Sequence, residues 1–503
     1  MQALRSPIRV SLRTPWIAFL GVVLGASLVY LNTLGNGFVY DDHYVVVQNQ
    51  LVKTLDPLEI FTREYWSGFT SQQAGTYYRP LTILSFATDY AIWGPDPFGF
   101  HLTNLLLHAL ASGLFYLLCC RLIRNRTAAV FAALLFAVHP VHTEVVSNIS
   151  GRSDLLFSLF SLASICCFIH SGRSSAVATA LACLLASFSK ETAVLLPFFF
   201  VFCDLIWKPH SSTFLALYFW QRIRAVHIWT FSALAFFLAL RTFAIGNLQA
   251  VLPSPMDNPL VDAPFSARIL TLPVLVFHYL RLLVAPISLS PDYSFNQIPV
   301  VTTPVHGLFL IGTLILALVS LAVARCWDRS RIGIFGVGLT VFPLILALNP
   351  FVSTGSILAE QYLYLPSAGF CLLVALMALR LRPTWLTLPR HQWVNYLVAF
   401  LVLTAGAYRT VVRNQDWRND KTLFQAAVQD SPNSVRSRLN LAFLFVNEKD
   451  HSGAIREYRQ ILRIRGDYPV IHRALLPGRP VPSDWKPASG TATLSGLPGI
   501  LDR

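Results

Sequence analysis

Asp41 and Asp42 stand side by side in the run Gly37-Phe38-Val39-Tyr40-Asp41-Asp42-His43, directly after the first long apolar stretch. Carboxylates at the mouth of a membrane helix are costly to desolvate and mark functional sites. Their chemistry would be that of a general base. One acid takes the proton from an incoming hydroxyl while its neighbour orients it or sets its pKa. Two solvated loop acids beside a membrane surface would look the same, so the pair needs partners. Asp41 is the nearer to the span, but adjacency leaves open which acid carries the proton.

Candidate partners recur at the ends of the apolar runs. Arg79, in Tyr77-Tyr78-Arg79-Pro80, offers a planar fork suited to a phosphate oxyanion; an interfacial Tyr-Arg anchor is the alternative. His139, His142, Glu144, Arg152 and Asp154 crowd one short turn. A His-x-x-His pair with acids suggests a metal, but no third ligand follows at diagnostic spacing, so no metal or other cofactor is expected. Glu144 and Arg152 read instead as part of a polar pocket opposite Asp41, with Arg152 also a candidate for the phosphate. Lys190, in Ser189-Lys190-Glu191, splits a long apolar stretch and is a further phosphate candidate, or simply the polarity a turn requires. Glu360 and Tyr362 sit at another loop–helix junction, as do Ser290-Pro291-Asp292-Tyr293. His101, Asn104 and His108 recur at helical spacing, where hydrogen bonding between helices explains them as well as a site does.

The chain that must position these groups has 503 residues, 54% hydrophobic and only 13% charged. That composition predicts an all-α, polytopic membrane helical bundle. The net charge of +14 lies in short Arg clusters between apolar runs, a pattern of loop topology that argues against a nucleic-acid partner. Cys119, Cys120, Cys166, Cys167, Cys183, Cys203, Cys326 and Cys371 lie mostly within apolar runs without a CxxC pair, so no disulfide framework is indicated. Apolar runs at 14–33, 102–122, 127–142, 153–170, 174–189, 192–207, 226–245, 306–324, 332–349, 361–380 and 391–411 give about eleven spans. The first is expected to be an uncleaved span. Loop arginines favour an inside N-terminus and place 267–285 along the outer surface or re-entering. The candidate residues then share the outer face, on a first loop of 34–100, a long loop of 246–305 and shorter turns.

Residues 1–411 thus form a membrane domain. Beyond them Phe424 and Tyr458 stand 34 positions apart, the tetratricopeptide period, with Ala442 and Ala454 between them. Residues 412–475 read as one and a half repeats packed on the membrane domain, and the Pro-, Gly- and Ser-rich 476–503 as a disordered tail.

Phe38-Val39-Tyr40-Asp41-Asp42, Tyr78-Arg79-Pro80-Leu81, His139-Pro140-Val141-His142-Thr143-Glu144 and Gly151-Arg152-Ser153-Asp154 together resemble the transmembrane and tetratricopeptide-repeat-containing O-mannosyltransferases. So do Ser189-Lys190-Glu191, Leu289-Ser290-Pro291-Asp292-Tyr293-Ser294, Glu360-Gln361-Tyr362-Leu363-Tyr364-Leu365-Pro366-Ser367 and Arg413-Asn414-Gln415-Asp416-Trp417. The resemblance implies a GT-C glycosyltransferase fold and a polyprenyl- or dolichyl-phosphate sugar donor, with mannose the expected sugar. It implies transfer to Ser or Thr hydroxyls of a protein acceptor with inversion, and a catalytic carboxylate in the first loop. The short repeat unit departs from the family's long arrays. It points to a bacterial homologue in the cell inner membrane, or the endoplasmic reticulum membrane if the source is eukaryotic, with the repeats on the outer or luminal side. Two other classes compete. A transporter or flippase of lipid-linked sugars predicts internal repeats and broken midplane helices; no convincing repeat is present. An inactive scaffold predicts that Asp41 and Asp42 are replaceable.

Overall fold

The computed structural model describes residues 13–67, 77–170, 173–207, 225–246, 254–326, 330–350, 354–380 and 392–466. The membrane-domain helices are α1 (Arg13–Leu28), α2 (Pro80–Trp93), α3 (Pro97–Leu122), α4 (Arg126–Ala137), α5 (Arg152–His170), α6 (Arg173–Ser189), α7 (Leu196–Trp207), α8 (Ala225–Ile245), α9 (Phe265–Val284), α10 (Gly307–Cys326), α11 (Arg331–Val341), α12 (Tyr364–Arg380) and α13 (Gln392–Asn414). Three more follow: α14 (Asp420–Asp430), α15 (Val435–Asn447) and α16 (His451–Ile464). Among the described residues there is no strand, so the chain is an all-α, polytopic membrane protein.

Among the described residues, eight helices are long and apolar enough to cross a membrane. The bent pair Arg126–Ala137 and Pro140–Val146 would make a ninth. Four expected runs fall short: α6 over 174–189 is only too short, and the other three are broken at proline, which removes a helical donor and clashes with the preceding turn. The 127–142 run bends by 43° where Pro140 follows α4. The 332–349 run stops at Val341, just before Pro343. The 192–207 run opens as a 3-10 turn, Glu191–Leu195, with Pro197 in the first turn of α7. The segment expected to lie along the surface, 267–285, is α9, and it meets the same length and hydropathy test as the spans. On this helix, length and loop charge point in opposite directions.

Close approaches need glycine. A Cβ at Gly369 on α12 would fall 2.5 Å from the carbonyl oxygen of Gly336 on α11 and 2.6 Å from the backbone nitrogen of Thr340. Backbone cannot yield as a side chain can, so Gly369→Val is expected to lose roughly 1–3 kcal/mol or more. Gly21→Ala, where nothing lies within 4 Å, should leave thermal unfolding in detergent unchanged or raised. Equal melting temperatures for the two variants would count against this packing.

The main core lies between α1, α3, α4, α5, α7, α11 and α12, around Phe115, Phe136, Phe199 and Leu372. The first loop has a core of its own: Val45, Val46, Leu51, Ile60, Phe86 and Phe100 are buried together. After α13, Asn419 and Thr422 form a reciprocal cap on α14, Ser434 caps α15 and Asp450 caps α16. Ala442, Ala454, Tyr458 and Ile461 form the seam between α15 and α16. Trp417, just before α14, is fully buried against Val39 and Leu423, so the unit sits directly on the Asp41 loop. The tail 476–503 lies outside the described residues.

Candidate active site

The Asp41 loop is held from both sides. Gly37 N–H donates to the Arg418 carbonyl (3.0 Å) and Tyr40 N–H to Asp420 (2.8 Å). Tyr40 adopts a left-handed backbone, φ 54°, which costs a non-glycine residue about 1–2 kcal/mol. Its surroundings fix that conformation: the ring meets Phe424 edge-on at 5.6 Å and the Arg436 guanidinium lies 5.3 Å from its centroid. His43 closes the loop with a 2.8 Å contact from Nε2 to Asp420, and this bond raises its pKa.

The two adjacent acids have different surroundings. Asp42 is fully buried. One of its oxygens accepts from the Ser150 N–H (2.7 Å) and the other from the Val39 N–H (3.1 Å). Burial pushes its carboxyl up to about 7, against the pull of those two donors. Asp42 therefore ties the loop to the Ile149–Gly151 turn. Asp41 is half-buried, and its carboxylate has no hydrogen-bond partner among the described residues. Burial raises its pKa, Arg436 opposes the rise, and Asp257 and Asp292 add to it.

A polar line lies further along the first loop, and the charge of Asp41 reaches its Tyr65 and Tyr77. The Arg79 guanidinium lies 4.5 Å from the Tyr77 ring centroid and 5.2 Å from that of Tyr65. Arg79 Nε donates to Glu191 (2.9 Å), whose other oxygen accepts from the Tyr78 N–H (2.7 Å). The terminal amino groups of Arg79 meet no partner among the described residues. Lys190 Nζ donates to both oxygens of Asp154, at 2.6 and 2.7 Å, and sits 5.0 Å from the Tyr362 centroid.

Other sequence candidates lie apart from this line or are fully engaged. Arg152 is fully buried, ion-paired with Asp89, and donates to Asn104 (2.8 Å) and the Phe100 carbonyl (2.7 Å). It braces α2 against α3 and has no face for a ligand. The pocket expected from Glu144 and Arg152 together does not form. Glu144 instead accepts from the Gln361 N–H at 2.8 Å. Glu360 accepts from the Ser290 N–H and the Tyr293 hydroxyl, both at 2.6 Å, and so pins the long loop. His139 and His142 are buried in the bundle. His139 Nε2 donates to the Leu283 carbonyl (3.0 Å); His142 Nε2 meets the Ser367 hydroxyl (2.7 Å), which itself donates to the Tyr364 carbonyl. Both are thereby knitted into helix packing. Among the described residues, no group of three or more His, Cys, Asp or Glu side chains could hold a metal ion.

Sequence reasoning missed Asp89, Glu191, Asp257, Asp420 and Arg436. A lone acid inside the apolar helix α2 was a usable signal for Asp89. Asp420 and Arg436 gave none, because surface charge is ordinary on a helical repeat.

Next in sequence to Lys190 and Glu191, Thr192 joins Phe157, Leu196, Phe199, Leu339 and Leu365 around a small apolar pocket.

Comparison with known proteins follows the same segments. Residues 250–319 match the family model described as "Protein O-mannosyl-transferase TMTC, DUF1736". The chain is 29% identical over 491 residues to Protein O-mannosyl-transferase TMTC3 of Mus musculus, covering 90% of this chain and 52% of the relative. It is 28% identical over 475 residues to the TMTC3 protein of Homo sapiens, covering 87% and 50%. It is 29% identical over 530 residues to Protein O-mannosyl-transferase tmtc2 of Xenopus laevis, covering 88% and 61%. The chain thus spans about half to three fifths of the length of the curated relatives it matches. The resemblance seen in the sequence motifs extends over nine-tenths of the chain.

Proposed function

We propose, for a chain akin over most of its length to the TMTC protein O-mannosyl-transferases, that it is a membrane glycosyltransferase. It moves a mannosyl group from a polyprenyl- or dolichyl-phosphate donor to a Ser or Thr hydroxyl of a protein acceptor. The observation that carries this reading is the half-buried carboxylate of Asp41, unengaged among the described residues, on the same loop as the Tyr65, Tyr77 and Arg79 cluster.

In this reading Asp41 takes the proton from the acceptor hydroxyl. The oxygen attacks the anomeric carbon from the face opposite the phosphate, and the bond from that carbon to the phosphate oxygen breaks. The lipid phosphate leaves with the electron pair, so no strong acid is needed. Arg79 meets the growing negative charge with its free amino groups, while Glu191 and the two tyrosines hold it in place. Lys190, drawn back onto Asp154, adds field at longer range. The Asp41 loop and the C-terminal helices touch, so they share one side of the membrane, the outer or luminal one.

Purified protein supplied with labelled polyprenyl-phosphate-mannose and a Ser/Thr peptide fraction should label the peptides. Arg79→Gln should lower kcat/KM for the donor about 10–100-fold, mainly through kcat, the scale of a lost hydrogen bond to a charged group; Arg79→Lys should recover part of it. Label that crosses a vesicle membrane without joining any peptide would support transport instead. An Arg79→Gln enzyme with unchanged kcat/KM would remove Arg79 from the donor site.

A further inference from the structure

We propose that the C-terminal helical unit completes the candidate active site, and that Arg436 on α15 is a positioning residue for Asp41. This rests on the assignment of Asp41 as the base.

The first turn of α15 is stitched to the long loop of the membrane domain. Val435 N–H donates to the Phe295 carbonyl (2.8 Å), and Asn296 N–H to the Asn433 carbonyl (2.9 Å). The capping Ser434 hydroxyl donates to Asp292, as does that of Ser294 at 2.6 Å. Arg436 is one residue beyond this anchor. Its side chain is only 14% exposed, and one amino group donates to Asp257 at 3.1 Å. Its guanidinium carbon lies 5.3 Å from the centroid of Tyr40, the strained residue directly before Asp41. Its Nε is buried with no partner among the described residues, so the guanidinium keeps donor capacity in hand at the Asp41 end of the loop.

Both faces of the loop are thus organised by the C-terminal unit. Asp420 takes the Tyr40 amide and the His43 ring, Phe424 packs on the Tyr40 ring, and Arg436 covers it. Three segments far apart in sequence meet at Arg436, beside the Tyr40–Asp41 step: the first loop, the family-matched long loop and the first helix of the full repeat. The charged and titratable groups around Asp41 are Asp42, Tyr40, Tyr65 and Tyr77 from the first loop, Asp257 and Asp292 from the long loop, and Arg436 from α15. Arg436 is the cation among them whose charge opposes the rise in the Asp41 pKa. It favours the ionised form of Asp41 against burial and the acids Asp257 and Asp292, which favour the protonated one. A base must be ionised to act, so the C-terminal unit sets the pH range in which the site can work.

The test uses the full chain in detergent and the variants Arg436→Gln, Arg436→Lys and Asp257→Asn. Dicyclohexylcarbodiimide modifies protonated carboxyls, and peptide mass spectrometry of Asp41 against pH reads its midpoint without any transfer assay. Arg436→Gln should raise the midpoint by roughly one unit or more. Arg436→Lys should stay near wild type, and Asp257→Asn should move the midpoint down. In the labelled-donor assay the acid limb of the pH profile should shift in the same directions; a purely structural role would lower the rate at every pH without moving the limb. If Arg436→Gln fails to fold, the downward shift in Asp257→Asn still decides. An unmoved Asp41 midpoint in folded Arg436→Gln, or in Asp257→Asn, overturns the proposal. Shifted midpoints with no transfer by wild type would leave the coupling standing and remove the function it was assigned.

Discussion

Replacing Asp41 by asparagine is expected to lower sugar transfer by about 10²–10⁴-fold, the usual contribution of a positioned general base, with little change in thermal unfolding. The variant keeps the volume, and the Asp41 carboxylate makes no hydrogen bond that the amide would break. Asp42→Asn should fail in the opposite way. Its two oxygens each accept a backbone N–H, and the amide nitrogen of asparagine presents a donor to one of those donors. Leaving a buried group unsatisfied costs about 1–3 kcal/mol, so Asp42→Asn should unfold earlier while its surviving fraction still transfers. The pH dependence adds a check. The folded-state pKa of Asp42, about 7, lies above the ordinary carboxylate value, so the folded form holds a proton that the unfolded chain releases. That contribution is fully present below the ordinary value and is lost as pH rises through 7. The stability deficit of Asp42→Asn should therefore be larger near about pH 5 than near about pH 8. Transfer by Asp41→Asn at the wild-type rate would remove Asp41 as the base.

How the two acids divide their work could not be read from their adjacency. Asp42 is buried because Tyr40 takes a left-handed turn, and nothing in the run Val39-Tyr40-Asp41-Asp42 announces that turn. The membrane class was legible, since hydropathy depends on composition and on run length alone. The breaks were half legible: Pro140, Pro197 and Pro343 stand in plain view, but a 20-residue hydropathy window averages across them. The polar candidates were recognisable as a set because charge near a span is costly wherever it sits. Their pairing was not, since it is decided by contacts between distant segments. Arg79 with Glu191, Lys190 with Asp154, and Arg152 with Asp89 lie 112, 36 and 63 positions apart. Each arginine or lysine looked free for a phosphate because its carboxylate lies elsewhere in the chain. The C-terminal unit shows the same limit. Its periodicity gives helices, but not that Asp420 and Arg436 face back onto the first loop.

Arg152 offers the sharpest separation between holding a ligand and holding the fold. Arg152→Met is expected to destabilise the protein by about 3–5 kcal/mol, the cost of leaving one partner of a buried ion pair uncompensated. Asp89 is then the stranded charge. It is 6% exposed, with one further contact, from the Thr103 hydroxyl at 2.9 Å. The double variant Arg152→Met/Asp89→Leu removes both charges and should recover much of the loss, because an apolar pair of similar volume often matches or exceeds a buried ion pair. Arg152 also closes Asn104 and the Phe100 carbonyl, so recovery should fall short of wild type by the cost of those lost bonds. Size-exclusion profiles and thermal unfolding in detergent measure the stability, and labelled-donor transfer measures the site. If Arg152 only braces α2 against α3, the double variant regains stability and transfer together. If it instead meets the donor phosphate, the double variant is folded and inactive, and the site must extend to the Arg152–Asp89 pair.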